Sequence, residues 1–300
     1  RRRCVAGALG GGICRGGVAP AGGGGTGGYW WGFFGAVPGG VVGRWDDLGH
    51  CLEEKTDGRR PAFIRAVQAF DNVAMKDTSV VLYDMAREVI AQRKANPLSP
   101  ETDPVSALLA VRIDQSGQQV PLPDEMIIGT VRQVLVVGIV APMVMVGSMA
   151  LHLSRDLALH RQLKQNPLLV PAAVEEFMRL YTPYRGFART PLKDVEVGGC
   201  PIKAGEPVAL TYASANRDEA VFPEPDVFKL DRPNISEHLA FGRGPHYCAG
   251  AHLGRLELRV ALEELLASTQ ALEVCGEVVY CPYPEIGPYQ VPLRFVSAAI

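Results

Sequence analysis

This sequence lacks a large excess of positive or negative charge. Its 300 residues carry 30 lysines and arginines against 32 aspartates and glutamates, so the net charge is only −2. Because acidic and basic residues are interspersed, no basic face predicts a nucleic-acid partner and no acidic tail predicts a cationic one. The composition instead favours small or apolar partners, and its 47% of hydrophobic residues can form a sizeable core.

Paired cysteines are absent as well. The seven cysteines are odd in number and scattered, and no two of them form a CxxC pair. This pattern disfavours a disulfide framework and a structural zinc knuckle, and it suits a reducing compartment. We therefore expect the protein in the cytoplasm.

Helical and strand periodicity are missing from the first 43 residues, in which glycine interrupts every apolar run. Such a stretch cannot bury a core, and it lacks the continuous apolar segment of a signal peptide. We predict that residues 1–60 form a glycine-rich tail that is disordered or unrelated to the fold. Residues 61–300 then form the folded domain.

One long apolar run contains no charged residue. Residues 134–151 would pass a simple membrane test, yet Pro142 lies at the centre of this run, with Gly138 and Gly147 on either side. No charge asymmetry orients the run, and no second run resembles a partner span. We therefore expect a long helix buried in a soluble core and no membrane span.

The rest of the domain alternates helical and strand-like patterns. Apolar residues at three- and four-residue spacing predict helices, and short alternating runs broken by glycine pairs predict strands. We predict a mainly α fold with a small antiparallel β-sheet. The predicted helices are two within residues 61–96, one from Pro123 past Leu151, one over 166–181 and one over 251–268; the sheet covers 186–212, and a polar meander covers 215–234.

The chemistry centres on Cys248, in the stretch AFGRGPHYCAG. This cysteine directly precedes a predicted helix, so free N–H groups and the positive end of the helix dipole favour its thiolate. Gly242, Gly244 and Gly250 permit backbone conformations that direct amides at the sulfur and let a flat ligand approach the chain. Such a thiolate can serve as a nucleophile, a zinc ligand or an axial iron ligand.

The three roles need different neighbours. A nucleophile needs a base, and His246 lies two residues away in a loop, where side chains tend to diverge. Zinc needs two or three further ligands, and His246 and Cys200 are only two candidates for them. Haem needs one protein ligand from this face, an aromatic residue and cations, for which Phe241, His246 and a distant arginine are available.

The cysteine stretch resembles the cysteine-ligand loop of the cytochrome P-450 family, whose pattern FGxGxHxCxG it matches as FGRGPHYCAG. Three further signatures follow the family's order. Glu176 and Arg179 in EEFMR are similar to the ExxR pair, and Arg232 in FKLDRPN is similar to the meander arginine that completes a structural triad. Arg189 in FARTPLKD lies where the family places an arginine on a haem propionate. The resemblance covers residues 61–300.

The resemblance implies a cytochrome P-450-like fold, truncated at its N-terminus, that binds haem b (iron protoporphyrin IX) with Cys248 as the axial iron ligand. It implies a monooxygenase that oxidises a small hydrophobic substrate. Electrons would come from a separate ferredoxin or flavoprotein reductase, since no dinucleotide fingerprint follows a strand. The further residues that it assigns are Phe241, Gly242, His246, Gly250 and Arg189 to the cofactor, Glu176, Arg179 and Arg232 to the triad, and Ile139, Val140, Ala141 and Tyr184 to the substrate pocket.

The central helix departs from the family pattern. In the family it carries AGx[DE]T, whose acid and alcohol deliver protons, whereas alignment on Gly138 places Val140 and Ala141 at those positions. Neither side chain can relay a proton. We expect a substrate hydroxyl or ordered water to replace the relay. A peroxide-dependent or non-oxidative haem-thiolate enzyme is the alternative, and no catalytic residue is assigned.

A second departure concerns the region before residue 61. Family members carry several helices there, including segments that cap the distal pocket, and the glycine-rich tail cannot replace them. The other alternative is therefore a truncated, catalytically inactive haem-protein fragment.

Overall fold

The computed structural model of the protein describes Ala66, residues 72–281 and residues 285–296. The predicted glycine-rich tail over residues 1–60 lies outside the described residues. The domain boundary predicted at residue 61 lies outside them too, and it stays a prediction.

The N-terminal unit ends at Met143, and its described residues form helices and one hairpin. Its elements are α1 (Asn72–Ala95), α2 (Pro104–Ala110), β1 (Arg112–Gln115), β2 (Gln118–Pro121) and the first part of α3 (Asp124–Arg155). Asp103 caps α2, because its carboxylate accepts the backbone N–H of Ser106. Ser116 and Gly117 both have positive φ, as a tight two-residue hairpin turn requires. The sequence patterns predict neither α2 nor the hairpin, because both are too short to show a clear period.

Apolar faces of α1 and α3 form the core of the N-terminal unit. On each helix the buried residues recur at three- and four-residue spacing, so each helix presents one apolar face. Helix α1 lies in the region in which two helices are predicted, and Ala66, described before it, is also helical. The core residues are Leu82, Met85, Ala86, Val89 and Ile90 on α1, Val105 on α2, and Ile127, Ile128, Val131 and Leu135 on α3.

Helix α3 runs without a break through Pro142, so the prediction of a long helix in the apolar run is correct. Within the described residues it is the one helix long and apolar enough to cross a membrane. Of its most apolar 18-residue window, 71% is buried inside the protein. Core helices of soluble proteins pass the same test of length and composition, and this burial agrees with the interpretation of α3 as a core helix.

The C-terminal unit begins at Val144 and contains the remainder of α3 and four further α-helices among its described residues. They are α4 (Leu157–Gln165), α5 (Val170–Tyr181), α6 (Tyr212–Ala215) and α7 (Ala251–Ser268). Asp156 caps α4 by accepting the backbone N–H of Leu159. Helices α5 and α7 pack against each other, and each buries an apolar face that includes Phe177 on α5 and Leu262 on α7.

Short strands in the described part of the C-terminal unit pair two by two, and every pair is antiparallel. The pairs are β3 (Phe187–Arg189) with β6 (Val208–Leu210), β4 (Val195–Val197) with β5 (Cys200–Ile202), β7 (Ala271–Val274) with β10 (Leu293–Val296), and β8 (Val279–Tyr280) with β9 (Pro288–Gln290). The fold is mainly helical with small antiparallel sheets, as predicted. Residues 186–212 form two separate pairs instead of one sheet, because Gly198 and Gly199, both with positive φ, close β4 and β5 as a hairpin of their own.

Candidate active site

The loop that carries Cys248 is held by its own backbone. The N–H of Cys248 donates to the carbonyl of Phe241 at 2.8 Å, and the N–H of Tyr247 donates to the carbonyl of Gly244 at 2.9 Å. Gly242 and Gly244 have φ of 70° and 74°, which side-chain-bearing residues rarely adopt. The result is a fixed loop with a free, solvent-exposed thiol.

The thiol of Cys248 lies at the amino end of α7, which begins at Ala251. Within the described residues, the N–H groups of Ala249 and Gly250 form no hydrogen bond. These amides and the helix dipole are therefore available to stabilise a thiolate.

Three of the predicted residues form a buried triad. Arg179 donates to both carboxylate oxygens of Glu176, through Nε at 2.8 Å and through Nη2 at 2.8 Å. Arg232 donates through Nε to Oε1 of Glu176 at 2.8 Å. Glu176 and Arg179 have no exposed surface, and Arg232 has 7%. We refer to these three residues as the triad.

The triad fixes the meander to α5. Nη1 of Arg179 donates to the carbonyls of Asn216 and Pro225, each at 2.8 Å. Arg232 donates to the carbonyls of Pro223, Glu224 and Val227. Burial alone would raise the pKa of the triad glutamate, but hydrogen bonds from the two arginines outweigh burial and lower that pKa. The triad carboxylate is therefore charged, and its hydrogen bonds link α5 to the meander.

Arg189 and His246, predicted to contact haem propionates, are both exposed. Arg189 lies on β3, and its guanidinium donates to the neighbouring carbonyl of Ala188 at 2.9 Å. His246 ends a short 3-10 turn that begins at Gly244. In the part of the chain that the structure describes, neither side chain is paired with a carboxylate, so both remain available to an anionic ligand.

Tyr184, a predicted pocket residue, lies near the cysteine loop. It forms an isolated antiparallel bridge with Glu285, and its ring centroid is 5.4 Å from that of Phe187. Burial raises the pKa of the Tyr184 phenol, and the nearby Glu285, Cys248 and Cys281 raise it further. The structure therefore brings Tyr184 within electrostatic range of the Cys248 sulfur.

The other predicted pocket residues lie on α3, in the N-terminal unit. Val140 is buried and Ala141 is partly buried, and the backbone of Ile139 is helical like theirs. The alignment with the family's acid and alcohol thus falls on a helix, as expected, and on two side chains without a transferable proton.

Three further residues next to the cysteine loop are not singled out by the sequence patterns. Glu175 accepts hydrogen bonds from Arg255 at 2.6 Å and 3.0 Å, and it pairs with Nε2 of His238 at 3.0 Å. Burial alone would raise the pKa of Glu175, but the hydrogen bonds from His238 and Arg255 lower it to about 2. Its position next to the ExxR glutamate is the one signal in the sequence that marks it.

No group of three or more His, Cys, Asp or Glu side chains that could hold a metal ion occurs among the described residues. The zinc alternative for Cys248 therefore gains no further ligands within the described chain. An axial ligand to haem iron needs no such group.

Comparison with known proteins extends the resemblance beyond the motifs. The cytochrome P-450 family model matches residues 150–273. Cytochrome P-450 109 of Bacillus spizizenii is 37% identical over 224 residues, which cover 73% of this chain and 53% of that relative. Mycinamicin IV hydroxylase/epoxidase of Micromonospora griseorubida is 37% identical over 196 residues, 64% of this chain and 47% of the relative. The chain spans about half the length of these curated relatives.

Solved structures share the fold. A cytochrome P-450 from Chondromyces apiculatus matches with a TM-score of 0.75 and 30% identity, over 90% of this chain and 67% of that one. The open form of the cytochrome P-450 EryK from S. erythraea matches with a TM-score of 0.77 and 27% identity, over 88% and 67%. Fold and motifs together define a mainly helical protein of the haem-thiolate class. The chain belongs to the cytochrome P-450 family.

Proposed function

We propose that the chain is the haem-binding portion of a monooxygenase that oxidises a small hydrophobic substrate. One observation carries the proposal: a member of this family presents the free, exposed thiol of Cys248 at the start of α7, in a loop shaped by Gly242 and Gly244. When bound, a haem with a thiolate ligand supplies the oxidising power by which one oxygen atom of dioxygen enters a C–H bond.

The residues present fit haem b. Cys248 would bind the iron through its exposed sulfur, because the thiolate is the form of cysteine that binds metals. Arg189 and His246 would pair with the two propionates, because both are exposed and neither is paired with a carboxylate in the described residues. The donor set is thus one sulfur for the iron, with one guanidinium and one imidazole for the two carboxylates of an iron porphyrin.

The remaining assigned residues would shape the surface under the ring. Phe241 offers an aromatic face, and Gly242 and Gly250 keep the backbone free of side chains there. The triad would hold the meander, and with it the shape of this side, without contact to substrate.

Ile139, Val140 and Ala141 of α3 are the predicted lining for a hydrophobic substrate, and Tyr184 is a further predicted pocket residue. Because Val140 and Ala141 carry no transferable proton, protons must reach the oxygen site through a substrate hydroxyl or ordered water. A mostly apolar substrate is the class that this lining favours, and a hydroxyl on the substrate is one of the two routes for the protons.

Electrons would come from a separate ferredoxin or flavoprotein reductase, since the sequence has no dinucleotide fingerprint after a strand. The cysteines of the described residues are free thiols, which suits a cytoplasmic location. The folded portion would comprise residues 61–300, with residues 1–60 outside it.

Haem uptake tests the proposal directly. The chain is purified with haem supplied, reduced under carbon monoxide, and its Soret band is recorded. We expect the strongly red-shifted band of thiolate ligation in the wild type. Cys248→Ala should abolish that band, because no other sulfur occupies the axial position.

The matched control is Cys275→Ala, which removes an exposed thiol far along the sequence from the loop and should leave the band in place. Absence of haem uptake by the wild-type chain would overturn the proposal and favour a haem-protein portion without turnover. Loss of the band in both variants would remove the assignment of Cys248.

The absence of an acid and an alcohol at positions 140 and 141 favours a second candidate, a peroxide-dependent or non-oxidative haem-thiolate enzyme. Product formation with peroxide alone is compared with product formation with reductant and dioxygen. For the monooxygenase we expect Val140→Asp combined with Ala141→Thr to raise the fraction of electrons that end in product. An unchanged fraction in an active variant would show that our interpretation of the missing relay is wrong.

A further inference from the structure

We propose that Glu175 and Arg255 are positioning residues that hold the cysteine loop in the orientation in which Cys248 binds iron. The two side chains belong to a cluster that we call the loop clamp: Glu175, His238, Phe241, Tyr247 and Arg255. The role toward iron rests on the proposed function. The mechanical role of the clamp does not, and the two are tested separately.

The centre of the loop clamp is a two-pronged ion pair between helices α5 and α7. Nε of Arg255 donates to Oε1 of Glu175 at 2.6 Å, and Nη2 donates to Oε2 at 3.0 Å. A planar guanidinium that meets a carboxylate through two parallel bonds fixes orientation as well as distance. About a third of the Arg255 side chain and a quarter of the Glu175 side chain are exposed, so water only partly screens this pair.

The start of the loop is tied to the same carboxylate. Nδ1 of His238 accepts the backbone N–H of Ala240 at 3.2 Å, which leaves the ring proton on Nε2. Nε2 then donates to Oε2 of Glu175 at 3.0 Å. One carboxylate on α5 therefore holds both the chain that enters the loop and the helix that leaves it.

The clamp reaches the backbone of Cys248 through Phe241. The guanidinium carbon of Arg255 lies 4.4 Å from the centroid of the Phe241 ring, and Nη1 donates to the hydroxyl of Tyr247 at 3.1 Å. The carbonyl of Phe241 accepts the N–H of Cys248 at 2.8 Å. Displacement of Arg255 would thus release the ring of Phe241, the residue whose backbone carbonyl orients Cys248.

The two adjacent glutamates on α5 hold different segments, one in the triad and one in the loop clamp. Glu176 binds arginines that hold the meander, whereas Glu175 binds His238 before the cysteine loop and Arg255 after it. Because side chains that orient a metal ligand tune the metal as well as the fold, the clamp should affect the iron's reduction potential and not only stability.

Amide hydrogen exchange of the haem-free chain tests the mechanical role. In Glu175→Gln and in Arg255→Lys we expect the amides of Ala240 and Cys248 to exchange about tenfold faster than in the wild type, because local opening no longer breaks the two-pronged pair. The control is Glu263→Gln, which removes an exposed pair with Arg259 on the same helix. Loop exchange in that variant should match the wild type.

The haem-loaded chain tests the role toward iron. We expect both clamp variants to shift the reduction potential. They should also move part of the ferrous carbon-monoxide Soret band to the wavelength of iron that has lost its thiolate ligand. Glu263→Gln should change neither the potential nor the band. Exchange and spectra equal to those of Glu263→Gln would overturn the proposal. Should Glu175→Gln fail to fold, Arg255→Lys, which keeps the charge but loses the second prong, decides the question.

A wild-type chain that takes up no haem would overturn the proposed function alone. The exchange experiment would then still support or reject the clamp, since it is carried out without haem.

Discussion

Three glutamates on α5 and α7, of which Glu176 and Glu257 are buried and Glu175 is partly buried, show how neighbouring side chains set the charge of a carboxylate. Glu175 and Glu176 are adjacent on α5, and hydrogen bonds from basic side chains outweigh burial and lower both pKa values. Glu257 on α7 is 2% exposed, and its Oε1 has no hydrogen-bond partner in the described chain. Burial raises the pKa of Glu257 to about 8. Two of the three are therefore charged at neutral pH, and the third is mostly neutral.

Replacement of Glu257 by glutamine tests this assignment. An acid whose pKa is higher in the folded chain binds an extra proton there, so the wild type loses stability as the pH rises from 4.5 to about 8. Glu257→Gln stays neutral and escapes this loss. We expect the variant to gain about 1.4 kcal/mol per pH unit over the wild type within this window. Denaturant unfolding at a series of pH values measures the difference.

The control is Glu264→Gln, on the same helix but partly exposed. It should follow the wild-type dependence on pH. A constant difference between wild type and Glu257→Gln from pH 5 to pH 8 would contradict a buried, neutral carboxylate.

At the scale of elements, two of the three glycines in α3 have contrasting surroundings. A Cβ on Gly129 would meet nothing within 4 Å. A Cβ on Gly147 would lie 3.0 Å from the carbonyl oxygen of Pro288 and 3.3 Å from its Cγ. The start of β9 therefore passes directly over α3 at Gly147, and the absence of a side chain is what permits that approach.

Alanine at the two positions should have opposite effects. Both substitutions improve helix propensity, which alone stabilises a helix by up to about 1 kcal/mol. We expect Gly129→Ala to raise the free energy of unfolding by that order and Gly147→Ala to lower it, because the backbone of Pro288 must move. Thermal or urea unfolding of the two variants gives the comparison. Equal stabilisation by both would show that β9 does not press on α3.

At the scale of the whole molecule, the features that the sequence predicts are those with a local signature. The cysteine loop can be predicted because its glycines lie close to Cys248 in the sequence. Helices α3 and α7 can be predicted because their apolar patterns are long. The loop clamp cannot be predicted from the sequence, since Glu175 binds His238 and Arg255, which lie 63 and 80 residues away along the chain. Only the fold decides which of many distant cations reaches that carboxylate.

The clamp and the triad also predict how the whole molecule responds to acid. Acids whose pKa is lower in the folded chain contribute stability above their ordinary value of 4.5, and this stability is lost as the pH falls through the folded pKa. Glu175 and Glu176 both belong to this class. Below pH 4.5 the free energy of unfolding should therefore decrease with falling pH more steeply than one titrating proton allows, which is about 1.4 kcal/mol per pH unit. Urea unfolding between pH 5 and pH 3 measures the slope.

Glu175→Gln removes one of the acids whose pKa is lowered in the folded chain, so its slope should be smaller by about one proton, or 1.4 kcal/mol per pH unit. Glu263→Gln, which lacks only a surface pair, should keep the wild-type slope, because an exposed ion pair contributes little at any pH. An unchanged slope in Glu175→Gln would mean that the carboxylate of the clamp is not held in its charged form, and the bonds that Arg255 and His238 make to it would then have to be weaker than their distances imply.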